Sequence, residues 1–80
     1  MTISDVVRMA LIKGSLSTLD LAPNIGVGSR NAVSTKLARE SWTANELAIV
    51  AELSGGKLLI RYPDGQEIPV EPVNNKKADE

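Results

Sequence analysis

Side chains that bind anions and read polar molecular edges are concentrated in the stretch SRNAVSTKLAR, residues 29–39. Arginine and lysine neutralise phosphate groups, while asparagine, serine and threonine both donate and accept hydrogen bonds. The stretch carries three cations and no acid, in a chain whose formal net charge is -1. Contact with a polyanion uses these residue types, but a solvated helix face is their commonest role. The elements that position them therefore decide between the two interpretations.

The stretch is predicted to form a helix with one buried edge. Ser29 is a favoured N-cap residue for a helix that begins at Arg30 and runs to about Ala38. Val33 and Leu37, four residues apart, form the buried edge. The residues on the opposite side are Asn31, Ser34, Thr35 and Ala38. This outward face is small and polar, which allows another molecule to approach closely.

A short helix is predicted immediately before this one. Ser17 followed by Asp20 is a capping-box pattern, and the helix runs from about Thr18 to Pro23 or Asn24. It is short because proline costs about 3 kcal/mol in a helix interior. Gly26 favours the left-handed conformation that ends a helix. Two short helices joined by a glycine-containing turn, the second polar and basic, are typical of a helix-turn-helix.

Two further helices are predicted, one on each side of this pair. The first is capped by Thr2 and ends at Gly14. The residues of its predicted buried stripe are Ile3, Val6, Val7, Ala10 and Leu11. The last helix begins at a capping box formed by Thr43 and Glu46. It has apolar side chains on two faces, and one of these faces consists of Ile49 and Leu53.

The chain after the last helix changes to the two-residue period of strands. Pro63-Asp64-Gly65 is a strong turn signal. A three-residue loop there pairs Ile60 with Ile68 and Leu58 with Val70 on one common face, which predicts a β-hairpin. Residues 1–72 are therefore expected to form one domain, and residues 73–80 a polar, disordered tail.

The composition limits the classes of function. Eighty residues support one domain with a marginal core. The chain contains no cysteine and no histidine, so it lacks the usual zinc ligands and the usual neutral-pH acid–base group. The carboxylates lie on caps, turns and the tail, so we expect no enzyme activity, no metal and no cofactor. No apolar run reaches the roughly 20 residues of a membrane span.

The stretch LDLAPNIGVGSRNAVSTKLARESWTANELAIVAELSGGKL resembles the lambda-repressor-like, or Cro/C1-type, helix-turn-helix regulators of bacteria and their phages. The resemblance covers roughly residues 4–62 and rests on leucine-alanine in the first helix of the pair, the glycine turn and serine-arginine after it. It implies a mainly α fold, with four short helices, a central helix-turn-helix and a C-terminal hairpin. It also implies a cytoplasmic, nucleoid-associated repressor of a phage or mobile element, which binds a palindromic operator in double-stranded DNA as a homodimer.

The candidate site residues follow from the interpretation of the chain as a helix-turn-helix DNA-binding protein. Those expected to read bases are Arg30, Asn31 and Thr35, since arginine reads guanine and asparagine reads adenine in the major groove. Those expected to contact phosphate are Ser29, Ser34, Lys36 and Arg39. In Cro-type repressors a C-terminal strand or hairpin commonly forms the dimer contact. The expected dimer residues are Leu58, Ile60, Ile68, Val70, Ile49 and Leu53.

Two alternatives stay open at this stage. A protein-binding module on a helix-turn-helix fold, such as an antitoxin or a phage-encoded inhibitor, could use Ile49 and Leu53 as its apolar surface. The hairpin could also be a wing that lies along the DNA backbone rather than a dimer element. An antirepressor or another protein partner is compatible with either role. The sequence shows no obvious ligand pocket.

Overall fold

The computed structural model describes residues 1–73 and is mainly helical. Four helices are followed by a two-stranded antiparallel hairpin, which confirms the predicted architecture. The elements are α1 (Ile3–Lys13), α2 (Thr18–Asn24), α3 (Arg30–Arg39), α4 (Ala44–Leu53), β1 (Leu58–Arg61) and β2 (Glu67–Val70). Within residues 1–73, no helix has the length and apolar character that crossing a membrane requires.

Capping boxes begin three of the four helices. In each box a hydroxyl accepts from the backbone N–H three residues on, and the acid there accepts from the N–H of the cap. The three pairs are Thr2–Asp5, Ser17–Asp20 and Thr43–Glu46. Hydrogen bonds from the backbone N–H groups of Thr2 and Ser17 lower the pKa of Asp5 and Asp20 below the ordinary 3.8. The stabilising effect of these two acids is therefore complete at neutral pH and is lost as the pH falls through the lowered pKa values.

Pro23 lies inside α2, which ends at Asn24 as predicted. Pro23 has no N–H, so it removes one helical hydrogen bond, the one that the carbonyl of Leu19 would accept. Only Asn24 follows it in this seven-residue helix. The backbone N–H of Ile25 donates to the carbonyl of Leu21 at 3.2 Å. Gly26 then takes the left-handed conformation, with φ of 79°, and leads the chain towards α3.

One apolar core joins the helices. Its buried side chains are Val7, Leu11, Leu21, Ala22, Ile25, Val33, Ala48, Ile49 and Val50. The predicted stripe of α1 is partly wrong, because Ile3 and Val6 are 43% and 46% exposed and Ser4 is fully buried. The polar Ser4 is tolerated there because its hydroxyl donates to the carbonyl of Leu37 at 2.6 Å.

The same serine anchors the start of α1 on the end of α3. The backbone N–H of Ser4 donates to Oε1 of Glu40 at 2.9 Å. This N–H is one of the groups that a helix leaves without an internal partner, so the Glu40 carboxylate acts as a second cap on α1. Glu40 itself has left-handed backbone geometry, with φ of 56°, at the point where α3 ends.

The fold needs glycine at position 14, directly after α1, because of a close contact rather than because of its backbone angles. Its φ is -90°, and the left-handed residue is Ser15, with φ of 56°. A Cβ at position 14 would lie 2.9 Å from Cα of Ser54 and 3.2 Å from Cδ1 of Leu16. The missing side chain therefore lets the C-terminal ends of α1 and α4 meet.

The hairpin has the predicted register. Ile60 faces Ile68 and Leu58 faces Val70 across the two strands. Gly65 is left-handed, with φ of 94°, as the three-residue loop requires. These four apolar side chains therefore share one face of the hairpin, as the sequence predicts.

Pro69 removes no hydrogen bond from this hairpin. The N–H of Tyr62 donates to the carbonyl of Gln66 at 2.8 Å, so these two residues form a hydrogen-bonded pair. Such pairs alternate along antiparallel strands, which makes Leu59 and Pro69 a pair without mutual hydrogen bonds. The nitrogen of Pro69 therefore faces the open edge of β2, where it hinders the addition of another strand.

The first residue of the predicted tail, Val73, contacts α4. Val73 is held by α4, since its N–H donates to Oδ1 of Asn45 at 2.6 Å and its carbonyl accepts from Nδ2 at 2.9 Å. The side-chain amide of an asparagine can pair with both backbone groups of another residue in the way that a neighbouring β-strand does. The rest of the predicted tail, residues 74–80, lies outside the described residues.

Substitution of Gly14 tests the contact between α1 and α4. Gly14→Ala places a methyl group 2.9 Å from the Ser54 backbone, and we expect the free energy of unfolding to fall by about 1–3 kcal/mol in urea denaturation. Gly56→Ala is the matched control, since its Cβ would lie 3.6 Å from the nearest atom, the carbonyl oxygen of Ala51. The control should be neutral or stabilising by up to about 1 kcal/mol. Equal stability of the two variants would contradict the contact.

Candidate nucleic-acid interface

The inward side of α3 is packed on α2. Val33 is fully buried and belongs to the same apolar cluster as Leu21 and Ile25. Leu37, one turn later, is partly buried against that cluster. Residues four apart lie on one side of a helix, so these two contacts fix which side of α3 faces solvent.

The outward side of α3 is polar and open. Its exposed residues are Arg30, Asn31, Ser34, Thr35, Ala38 and Arg39. None of them is acidic, and the middle of the surface consists of short side chains. The two arginines lie at opposite ends of the helix, so the positive charge of this surface is at its ends. The side chains between them are short and protrude little.

The N-terminal end of α3 differs from that of the other helices. Ser29 caps it, and its Oγ accepts from the backbone N–H of Ala32 at 3.3 Å. The first turn of α3 contains no acid, whereas α1, α2 and α4 each have one there. The positive end of the helix dipole is therefore not neutralised by a carboxylate of its own first turn, which suits an anion such as phosphate.

Gly28, just before this cap, is not required by the fold. It has no positive φ, and beyond its chain neighbours no atom of residues 1–73 lies within 4 Å of the position that a Cβ would take. The backbone ahead of Ser29 is therefore uncovered, and another molecule can approach it closely.

Asn31 and Thr35 lie one turn apart on the open surface. The hydroxyl of Thr35 donates to the carbonyl of Asn31 at 3.0 Å, which leaves its oxygen as an acceptor. Within residues 1–73 the side-chain amide of Asn31 makes no hydrogen bond. An asparagine amide offers a donor and an acceptor together, the pair that matches the major-groove edge of adenine.

The cations of α3 are of two kinds. Arg30 and Arg39 form no ion pair with any residue in the described part of the chain. Lys36, by contrast, is engaged with the acid that caps α4. Two of the three cations therefore have their charge available at the surface.

Lys36 is placed differently from its predicted role as a phosphate contact. Its Nζ lies 2.9 Å from Oε2 of Glu46 and 3.4 Å from the carbonyl of Ser41. The side chain is only 20% exposed, and Nζ lies 5.9 Å from the centre of the Trp42 ring. A carboxylate that is 8% exposed needs a charged partner, because an unpaired buried charge is costly. Lys36 therefore joins α3 to the start of α4 and is unavailable to phosphate.

Sequence reasoning missed two acids that position α3. Glu46 was identified only as a cap, although its carboxylate binds both the Thr43 N–H, at 3.0 Å, and Lys36. The capping box was the signal that this carboxylate lies near the end of α3. Glu40 gave no signal, because its partner Ser4 is 36 residues away and left-handed glutamate is uncommon.

The predicted dimer residues of α4 are corrected by burial. Ile49 is 8% exposed and belongs to the core, so it cannot contribute to a surface in the folded chain. It is buried because it packs in the core cluster that contains Val7 and Leu11 of α1 and Val33 of α3. Leu53, at the last position of α4, is 37% exposed and stays accessible.

The predicted dimer residues of the hairpin become more exposed towards the turn. Leu58 and Val70, at the end close to the helices, are partly buried. Ile60 and Ile68, at the end close to the turn, are 53% and 43% exposed. The outer half of the hairpin therefore presents an uncovered apolar pair.

Comparison of the chain with protein-family models, with curated proteins and with solved structures finds no match. Within residues 1–73, no three side chains of His, Cys, Asp or Glu are grouped so that they could hold a metal ion. A functional assignment for the described domain therefore depends on the surface of α3 and on the contacts that hold it.

The position of Lys36 leads to a stability prediction. Lys36→Met leaves the carboxylate of Glu46 without its cation, and we expect the free energy of unfolding to fall by about 2 kcal/mol. Arg39→Met, on the open surface of the same helix, should change it by less than about 0.5 kcal/mol. Urea denaturation at neutral pH measures both. If the two variants are equally stable, Lys36 is not held as described.

Proposed function

We propose that the protein is a sequence-specific DNA-binding transcriptional regulator that represses promoters of a phage or mobile element. α3 enters the major groove with its open side, as the second helix of a helix-turn-helix does. Arg30, Asn31 and Thr35 read base edges there. The phosphate contacts come from Ser29, Ser34 and Arg39, without Lys36.

The observation that carries this proposal is the acid-free surface of α3, with an arginine at each end that forms no ion pair within residues 1–73. A chain of net charge -1 is not attracted to DNA as a whole, so a local positive surface must provide the attraction. Short side chains between the arginines allow the helix axis to come near the bases. The uncovered backbone at Gly28 and the N-terminal end of α3 add a place for a phosphate.

The resemblance to lambda-repressor-like regulators supports the same proposal. It accounts for the order of the elements, with one helix before the pair and a helix and hairpin after it. On this proposal the protein acts at the nucleoid of a bacterial cell.

We further propose that the protein acts as a homodimer through its hairpin. Ile60 and Ile68 face each other on one side of the strands and are about half exposed, although they are large and apolar. Burying such side chains against a second copy removes apolar surface from water. A two-fold dimer places its two copies of α3 on half-sites about 34 Å apart, which is one turn of DNA.

Selection of bound sequences from a random DNA pool tests the DNA-binding proposal. We expect an enriched palindrome at moderate salt. Asn31→Ala should then weaken binding to the selected site by about 1–3 kcal/mol and leave binding to random DNA unchanged. Arg39→Gln is the matched comparison, because it should weaken binding to both DNAs alike and reduce the salt dependence by about one counterion.

Two results would contradict the proposal. The first is a pool without any enriched sequence. The second is DNA binding whose affinity does not fall as the salt concentration increases, because phosphate contacts require such a fall. That result would favour a protein as the partner of this fold. An equal loss on both DNAs for Asn31→Ala would remove only the base-reading role of that residue.

Light scattering at micromolar concentration tests the dimer. We expect twice the 8.5 kDa mass of the chain, and Ile68→Lys should reduce the mass to that of one chain. Gln66→Lys is the control, because it adds the same charge in the exposed turn and should leave the dimer intact. A single-chain mass for the unmodified protein, both with and without DNA, would rule out this role of the hairpin.

A further inference from the structure

An apolar groove of about 290 Å³ lies between α1, α4 and β1, away from the exposed surface of α3. Its walls include Val6 and Ala10 of α1, Leu47 and Ala51 of α4, and Leu58 of β1. The volume is near the lower end of the range for small-molecule sites, which begins at about 300 Å³. The sequence had indicated no such pocket.

The lining of this groove has a specific chemistry. Among residues 1–73, its apolar side chains are all aliphatic, and the only polar side chain is that of Lys57, immediately before β1. Within residues 1–73, Lys57 forms no ion pair. A partner for the groove therefore needs an aliphatic body and one negative group, and it needs no aromatic ring or further hydrogen-bonding groups.

The groove is also incompletely covered by residues 1–73. Val6, on its wall, is 46% exposed, although residues of this type are usually buried. Ala10 and Ala51 are small residues on facing helices, so the space between α1 and α4 is left open rather than filled. An occupant would remove this aliphatic surface from water at a gain proportional to the area covered.

We propose that this groove is a binding site for a free, medium-length aliphatic carboxylate, with the chain among the aliphatic walls and the carboxylate at Lys57. The charge of Lys57 selects an anion over a neutral or cationic compound of the same length. The site lies on elements other than α3, so the proposal does not depend on DNA binding.

Methyl NMR of the full chain, titrated with decanoate, decanol and decylammonium, tests this assignment. We expect decanoate to shift the methyl signals of Val6, Leu47 and Leu58 and to leave that of Val33 unchanged. Decanol should bind about fivefold more weakly, the loss expected for one exposed ion pair, and decylammonium more weakly still. Equal affinities for the three compounds, or shifts spread over the whole protein, would overturn the proposal.

Three variants make the test specific to the groove. Lys57→Gln should remove the preference for decanoate over decanol, whereas Lys13→Gln, a cation of α1 outside this groove, should retain it. Ala51→Leu fills the groove and should abolish the shifts while the methyl spectrum stays that of a folded protein.

Other occupants of the groove give different results in the same measurements. If contacts from a second chain already cover Val6 and Leu58 without ligand, the groove is a dimer surface. If phospholipid vesicles produce the shifts and free decanoate does not, the groove is a membrane contact. Either result would overturn the assignment to a free carboxylate.

Discussion

The burial of Val33 is the contact on which the open surface of α3 depends. Its side chain is completely removed from solvent, in the cluster that contains Leu21 of α2 and Ile25, the residue directly after that helix. Burying a valine stabilises the fold by about 1.5–3 kcal/mol, but its geometric effect is larger. Successive helix residues are about 100° apart, so once Val33 points inward, Asn31 and Ser34 must point away from the core. In a chain with so small a core, one apolar residue can set the direction of a whole face.

Polar contacts fix the tilt of α3, which the burial of Val33 alone does not determine. A helix held mainly at one point can still tilt, and α3 is tied at its second half to α4 through Lys36 and to α1 through Glu40. The carboxylate of Glu46 satisfies both Lys36 and the cap of α4, which explains why it is tolerated at 6% exposure. One of the three cations of α3 thus serves the position of the helix, and the two arginines keep their charge at the surface.

The features that could be predicted from the sequence are those set by near neighbours. The capping boxes span three residues, and the register of the hairpin follows from a three-residue loop. The features that were missed depend on distant partners: Lys36 bonds to Glu46, ten residues on, and Ser4 bonds to Leu37, 33 residues on. The periodicity of α1 favoured burial of Ile3, but the hydrogen bond of Ser4 turns that helix towards α3 instead. For the same reason the groove was not foreseen, since its walls come from three separate elements.

α1 takes part in both surfaces of the molecule. At its start Ser4 donates one hydrogen bond to the Glu40 carboxylate and another to the carbonyl of Leu37 in α3. Val6 and Ala10 of the same helix line the groove. At its end Gly14 touches Ser54, so α1 cannot move there without moving α4. A ligand in the groove would therefore press on a helix that is held at one end by α4 and at the other by hydrogen bonds to α3. A displacement of α1 would therefore have to be accommodated both at Ser54 of α4 and at the hydrogen bonds that join Ser4 to Leu37 and Glu40 at the C-terminal end of α3.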